Sequence, residues 1–380
     1  MIVEVAACLL LLLAGGLVMR SLGRLLDVDP GFRPEGVVMI ELTLPKSRYP
    51  DPTTREAFAR RAVAEIAGVP GVDAAALTES VPFSRDTVYS FEIVGREPDP
   101  PGKEPSANHY AVTPDYFRTM GIQLLAGRIF DARDGREGRV IIVNDKLARR
   151  FFPGGNAVGQ RMKIFDERAL EIVGVVADVR QYGLAEDAPL QMYQPLFQHP
   201  VGWIFLLVRT SGDPASAVAG IRARVAAIDG DLALAGVRPM VEVVAESVGA
   251  RRFAVWLLGV FAAVSLALAV IGIYGVIADA VVQRTREIGV RVALGATPRD
   301  VLASMMGIGV VPALLGIALG LAGAAGLVRL LGGLLYGVSQ TDPLTWIAAP
   351  LLIAFVAAVA SYIPARRATR VDPMTALRFE

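Results

Sequence analysis

The chain has 380 residues, more than the about 100–200 of a usual single domain, so at least two structural units are expected. Hydrophobic residues make up 53% and the mean hydropathy is +0.48, which argues against an ordinary soluble protein and for a membrane one. With 38 basic against 37 acidic residues the net charge is +1, too even for a broad nucleic-acid surface, and the single Cys8 excludes an internal disulfide.

From the N-terminus, Ile2–Met19 is apolar except for Glu4 and is long enough to cross the hydrocarbon core. A cleaved signal peptide is the competing reading, but no basic n-region precedes the run and Glu4 stands where one would be needed.

Residues 28 to 250 mix strand and helix signals. Val37–Leu44 reads as a strand, Thr53 as the cap of a helix to about Ile66, and Val72–Thr78 as a second strand, together a β-α-β unit. A second such unit follows late: a strand at Trp203–Val208, Asp213 as N-cap with Pro214 behind it, a helix to Ile228, and a strand near Val237–Val243. Between them lies an insert with strands at Val140–Val143 and Glu171–Val176 and a helix after an Asn144 cap.

No chemistry stands out in this region. His109 and His199 are far apart and lack metal-ligand spacing, which favours structural or surface roles, and no metal or other cofactor is expected. Asp131, Arg133, Asp134, Arg136 and Glu137 read as a solvated turn, since a calcium loop would want carboxylates at alternate positions. Neither a nucleophile elbow nor a phosphate-binding loop occurs, so an enzyme is not supported.

Three further uncharged runs follow, Phe253–Ile277, Val301–Val328 and Leu344–Ile363, each at or above the about 20 residues a span needs. Gly316 and Gly320 form a GxxxG pair that would let helices approach closely. The loop 280–300 carries Arg284, Arg286, Arg291 and Arg299, and the tail carries Arg366, Arg367, Arg370 and Arg378, which places both inside. The large insert is then outside, although Arg20, Arg24, Arg251 and Arg252 oppose the rule locally.

The fold class expected is membrane α-helical, with four transmembrane helices and a large α+β extracytoplasmic domain inserted between helices 1 and 2. The divisions expected are helix 1 over 1–20, the extracytoplasmic domain over 21–250, helix 2 over 251–279, a coupling helix and loop over 280–300, helix 3 over 301–329, an outer loop over 330–343, helix 4 over 344–364 and a cytoplasmic tail over 365–380.

The inner loop has its own grammar. Residues 283 to 294 can continue as helix with Glu287 and Arg291 spaced for an i, i+4 ion pair. Gly295 suits the position after a helix, Thr297 an N-cap, Pro298 the first helical residue and Asp300 the acid of a capping-box-like restart. Composition alone leaves open whether the arginines only fix orientation or form a docking surface.

REIGVRVALGATPRDV, from Arg286, strongly resembles the cytoplasmic coupling segment of MacB/FtsX-like permeases, the four-span subunits of a branch of ABC transporters. HYAVTPDYFRTMGIQLLAGRIF, VIIVNDKLARRFFPGGNAVGQRM and EIVGVVADVR resemble that family's extracytoplasmic core domain, and LLYGVSQTDPLT and SYIPARRATRVDPMTALRFE its last outer loop and tail. The resemblance covers nearly the whole chain in order.

It implies a non-catalytic permease subunit of the bacterial cytoplasmic (inner) membrane, working by mechanotransmission in export or envelope work. The implied partners are a separate cytoplasmic ABC ATPase, a second permease half or copy, the lipid bilayer and an envelope protein, with no nucleic acid. Arg286, Glu287, Gly289, Arg291, Leu294, Gly295 and Ala296 match the ATPase-coupling motif, with Glu287 the leading polar contact and Gly289 the place of close backbone approach. Thr297, Pro298 and Asp300 fit the helix restart. The start of the chain almost inside span one fits the second half of a duplicated permease, or a fragment. The competing reading is a membrane-anchored sensor or scaffold whose external domain binds a ligand or envelope protein without an ATPase, but the short inner segments leave no room for an output module.

Overall fold

A computed structural model describes the chain except residues 85, 98, 101, 132, 136–137, 165–168, 213, 233, 295, 332–334 and 370–380. In chain order the elements are α1 (Ile2–Leu26), β1 (Val37–Thr43), α2 (Pro52–Ala67), β2 (Val72–Thr78), β3 (Thr87–Ile93), β4 (Ser106–Val112), α3 (Tyr116–Met120) and β5 (Leu124–Gly127). There follow β6 (Val140–Asn144), α4 (Asp145–Phe151), β7 (Arg161–Ile164), β8 (Leu170–Val176), β9 (Gln191–Pro195), β10 (Trp203–Thr210), α5 (Pro214–Ile228), β11 (Leu234–Pro239) and α6 (Met240–Ser247). The chain closes with α7 (Gly249–Gln283), α8 (Thr285–Ala293), α9 (Pro298–Leu331) and α10 (Pro343–Ala368). It divides into two compact units, residues 28–248 and the remainder.

In the membrane unit, α1, α7, α9 and α10 are long and apolar enough to cross a bilayer, and these four are the candidates among the described residues. Lipid offers no hydrophobic drive between helices, so close packing must hold them together. Glycine supplies it where α1 crosses α9: a Cβ on Gly316 would come 2.7 Å from Val5 Cβ, and one on Gly320 2.9 Å from Leu9 Cδ2 and 3.1 Å from the Ala6 carbonyl. Val5, Leu9 and Leu13 of α1 meet Ala269 of α7, Ile317 and Ala324 of α9, and Ile353 of α10 in one apolar core.

The outer end of α1 is tied to the segment before α10. Arg20 pairs with Asp342, the Ser21 hydroxyl accepts the Tyr336 N–H at 2.7 Å, and the Arg24 guanidinium donates to the Gly337 carbonyl. Asp342 also caps α10, accepting from the Thr345 N–H and hydroxyl at 3.0 and 2.8 Å.

In the extracytoplasmic unit, β1, β2, β10 and β11 run in the order β11-β1-β10-β2, each antiparallel to its neighbour. The connections β1-α2-β2 and β10-α5-β11 therefore each skip over one strand, two interleaved split β-α-β units of the ferredoxin-like kind. Asp51 rather than Thr53 caps α2, because its carboxylate reaches both the Thr53 and the Thr54 N–H at 2.9 Å. The expected Asp213 cap lies outside the described residues.

The last expected strand, Val237–Val243, is corrected: β11 stops at Pro239, and residues from Met240 turn into α6. Pro239 cannot donate to a ladder and serves instead as the residue before the helix, while Met240 and Val243 turn into the core.

The insert is a closed ring, β4-β3-β7-β8-β6-β9 and back to β4 through a parallel β4–β9 pairing. Phe91, Ala107, Ile141, Met162, Ile172 and Met192, one from each strand, form its core together with Leu147 and Phe152 from α4 and its end. The Asn144 cap accepts from the Leu147 N–H at 3.2 Å.

The acidic turn differs from expectation. Asp134 is buried, takes both Arg128 nitrogens at 2.6 and 2.8 Å and accepts the Asp131 N–H at 2.9 Å, so it organises the turn from inside; Arg136 and Glu137 lie outside the described residues. Burial alone would raise the Asp134 carboxyl, but the Arg128 hydrogen bonds outweigh it and hold the group below its ordinary value.

Two outcomes test this architecture. Gly320→Leu should lower the thermal midpoint of the detergent-solubilised chain, an overpacking cost of about 1–3 kcal/mol, whereas Gly326→Leu, with nothing within 4 Å of the added carbon, should leave it unchanged. The Asp134 carboxylate stabilises above the unfolded-state value of about 3.9 and loses that effect as pH falls through its lower folded-state value. An Asp134→Asn chain should therefore melt lower than the parent near neutral pH, and the gap should close as the pH is taken below about 3.9.

Candidate coupling site

The candidate site is the segment between α7 and α9. α7 ends at Gln283, Arg284 makes a turn, and α8 begins at Thr285, whose hydroxyl donates back to the Val281 and Val282 carbonyls at 2.8 and 3.0 Å. At nine residues α8 is too short to hold itself together in water, where isolated helices under about 12–15 residues are marginal. Its helicity must come from packing. Ile288 supplies that: it is 3% exposed and lies in one cluster with Val301 and Met305 of α9 and Ala365 of α10.

With Ile288 turned inward, the helical 100° step sends Glu287, Val290 and Leu294 to the free side. Leu294 is 83% exposed, and Val290 and Glu287 are exposed as well. Glu287 forms the expected pair with Arg291 at 2.5 Å. Such a surface pair contributes little to stability, about 0.3–0.5 kcal/mol, so breaking it to meet a partner costs little.

After α8 the chain turns sharply. The Leu294 N–H donates to the Val290 carbonyl at 3.0 Å, and the Ala296 N–H to the Arg291 carbonyl at 3.0 Å, the long backward bond of a helix C-terminus. Gly295 lies outside the described residues. Arg286 and Gly289 lie within α8, and nothing of their side chains belongs to the described structure.

The restart follows the capping-box pattern. Asp300 Oδ2 accepts from the Thr297 N–H at 2.9 Å and the Thr297 hydroxyl at 2.6 Å, and the Asp300 N–H points back to Thr297 Oγ1 at 3.4 Å. Pro298 stands at the first position of α9, where its missing N–H costs nothing.

In the extracytoplasmic unit the histidines meet, ring centroids 5.8 Å apart, which their separation in sequence hid. His109 is fully buried with Nδ1 against Glu79 at 2.8 Å and Nε2 against Gln194 at 3.0 Å. Both ring nitrogens are thus engaged in fixing β4 against its neighbours, a structural use. Ile288 is the residue that sequence reasoning underrated; its place among Arg284, Glu287 and Arg291 on a polar face was the available signal.

Comparison with known families decides what this geometry belongs to. Residues 13–224, more than half of the chain, match the MacB-like periplasmic core domain, and residues 259–373 match the FtsX-like permease C-terminal region. The chain belongs to the MacB/FtsX-like permease family. Among its relatives is the macrolide export ATP-binding/permease protein MacB of Chromobacterium violaceum, 31% identical over 298 residues, covering 72% of this chain and 44% of that one. MacB of Agrobacterium fabrum is 28% identical over 292 residues, covering 72% and 43%. The probable syringafactin export ATP-binding/permease protein SyfD of Pseudomonas syringae pv. tomato is 28% identical over 284 residues, covering 70% and 41%. The chain thus spans less than half the length of these relatives.

Within the MacB/FtsX-like permease, α8 and the capping box lie inside the stretch that matches the FtsX-like permease C-terminal region. If Ile288 is the anchor, Ile288→Ala should raise amide hydrogen exchange across α8, consistent with the about 2–5 kcal/mol of a buried Ile→Ala change. Leu294→Ala, at an exposed position, should leave that exchange as it was.

Proposed function

We propose that this chain is the permease part of a mechanotransmission ABC transporter, coupling ATP hydrolysis by a cytoplasmic ATPase outside these 380 residues to work by the extracytoplasmic domain in export or at the envelope. The observation that carries it is the build of α8: Ile288 anchors it to α9 and α10 while Glu287, Val290 and Leu294 face outward. An orientation signal needs only arginines; it does not need a packed helix with a capped exit. The names of the relatives join ATP-binding to permease, and residues 1–380 contain no GxxxxGK[ST] loop, which supports an ATPase outside this stretch.

On this reading Glu287 and Leu294 are the main contacts to the ATPase, with Arg286, Gly289, Arg291, Gly295 and Ala296 completing the motif and Thr297, Pro298 and Asp300 holding its exit. The chain itself performs no catalysis. It resides in the bacterial inner membrane and pairs with a second permease copy or half.

The test is purification of the full chain from native membranes in mild detergent with mass spectrometry of what accompanies it. An ATP-binding subunit should co-purify, and Glu287→Ala or Leu294→Asp should weaken its binding roughly tenfold, the size of a single interface anchor, without altering the melting of the chain. Co-purification of membrane or envelope proteins alone, under every nucleotide condition, would overturn the coupling assignment in favour of a sensor or scaffold.

A further inference from the structure

The extracytoplasmic unit holds an open cavity of about 440 Å³ beside the start of α4, lined mostly by charged side chains: Lys146, Arg149 and Arg180 with Asp29, Asp178 and Asp187. Three pieces of chain bring them together. Residues 177–180, which follow β8, form one side. The turn at 29–31 lies on them, with the Arg180 N–H donating to the Pro30 carbonyl at 2.9 Å. Gly31 permits that approach: it stands at φ 85°, and a Cβ there would overlap the Asp178 carbonyl oxygen. The third piece is the first turn of α4, tied to residues 187–188 by the Lys146 ammonium, which donates to the Ala188 carbonyl at 2.6 Å.

These charges do not all cancel one another. Asp178 is fully engaged: Oδ1 accepts the Asn144 amide at 2.7 Å and the Lys146 N–H at 2.8 Å, and Oδ2 meets Arg149 at 3.2 Å. Arg149 also pairs with Asp145 at 3.0 Å. Lys146 and Arg180, among the described residues, bond to backbone carbonyls instead, Lys146 to that of Ala188 and Arg180 through NH1 to those of Leu184 and Glu186. Of its five guanidinium N–H groups Arg180 thus uses the two on NH1, and Lys146 uses one of its three. On the acidic side Asp29 turns one oxygen to the Gly31 N–H at 2.8 Å, which leaves the other, and Asp187 stands exposed.

We propose that this cavity binds a phosphate ester that also carries an ammonium group, the chemistry of phosphoethanolamine, with Lys146 and Arg180 on the phosphate and Asp29 and Asp187 on the amine. A lone anion would face the two carboxylates and a lone amine the two cations, so the lining complements both charges in one small molecule. The N–H groups left on Lys146 and Arg180 outnumber the about four acceptor sites of a carboxylate and suit a phosphate, which the Arg fork can meet with two parallel bonds. Such a group exists as a soluble ester and as the headgroup of a phospholipid.

The experiment is equilibrium dialysis of radiolabelled O-phosphoethanolamine against the full chain in dodecyl maltoside micelles, with empty micelles subtracted. Binding should be saturable and about tenfold or more tighter than that of inorganic phosphate or of ethanolamine. Lys146→Gln should weaken phosphoethanolamine and inorganic phosphate alike, about tenfold, the scale of a hydrogen bond to a charged group. Asp187→Asn, at an exposed position, should weaken phosphoethanolamine roughly two- to fivefold and inorganic phosphate not at all, a split that a change in folding would not produce. Inorganic phosphate binding as tightly as phosphoethanolamine, or parental affinity in both variants with unaltered melting, overturns the proposal; should Lys146→Gln fail to fold, Asp187→Asn decides. In nanodiscs, weaker binding of the free ester in phosphatidylethanolamine than in phosphatidylcholine bilayers, whose quaternary ammonium has no N–H for Asp29 and Asp187, identifies the lipid headgroup as the occupant; equal binding identifies a soluble ester. No ATPase is present, so failure here leaves the coupling assignment standing.

Discussion

The inner end of the membrane unit depends on the burial of Ile288. α8 has nine residues and, among its described side chains, one surface ion pair, which together fall short of a stable helix in water. Placing Ile288 against Val301, Met305 and Ala365 gives α8 a fixed roll about its axis. Once the roll is set, the directions of Glu287, Val290 and Leu294 are set with it. The Ala296 bond and the Thr297–Asp300 capping box then fix where the chain leaves α8 and enters α9.

A similar economy governs the outer end. Arg20 and Arg24 oppose the preference of basic residues for the cytoplasm, and the structure gives the reason. Arg20 meets the carboxylate that already caps α10, and Arg24 meets a loop carbonyl, so their charge is spent on tying α1 to the segment before α10. Because long translocated domains tolerate local charge, this use does not conflict with the orientation set by the inner arginines.

What sequence could show follows from the range of the forces involved. The four apolar runs and β2 were legible because hydropathy and alternation are local. The Thr297–Asp300 box was legible for the same reason. The ring of strands was not: it closes through β4 against β9, and nothing local in Ser106–Val112 names Gln191–Pro195 as its partner. His109 and His199 looked isolated for that reason, since the contact of their rings is a product of the ring's closure. Asp134 looked solvated because charge suggests water, and its bidentate Arg128 lies outside the run of charges around it. Pro239 was a further local signal underweighted; it ends a strand that hydrophobicity alone would have continued into α6.

The path of the chain from the extracytoplasmic sheet to α8 runs through few irregular residues. β1 is laddered to β11; β11 passes into α6 at Pro239, α6 into α7 across Val248 alone, and α7 into α8 across Arg284 alone. Energetic coupling needs rigid elements joined at a few places that can take up a change in backbone angle, and here the joints are single residues.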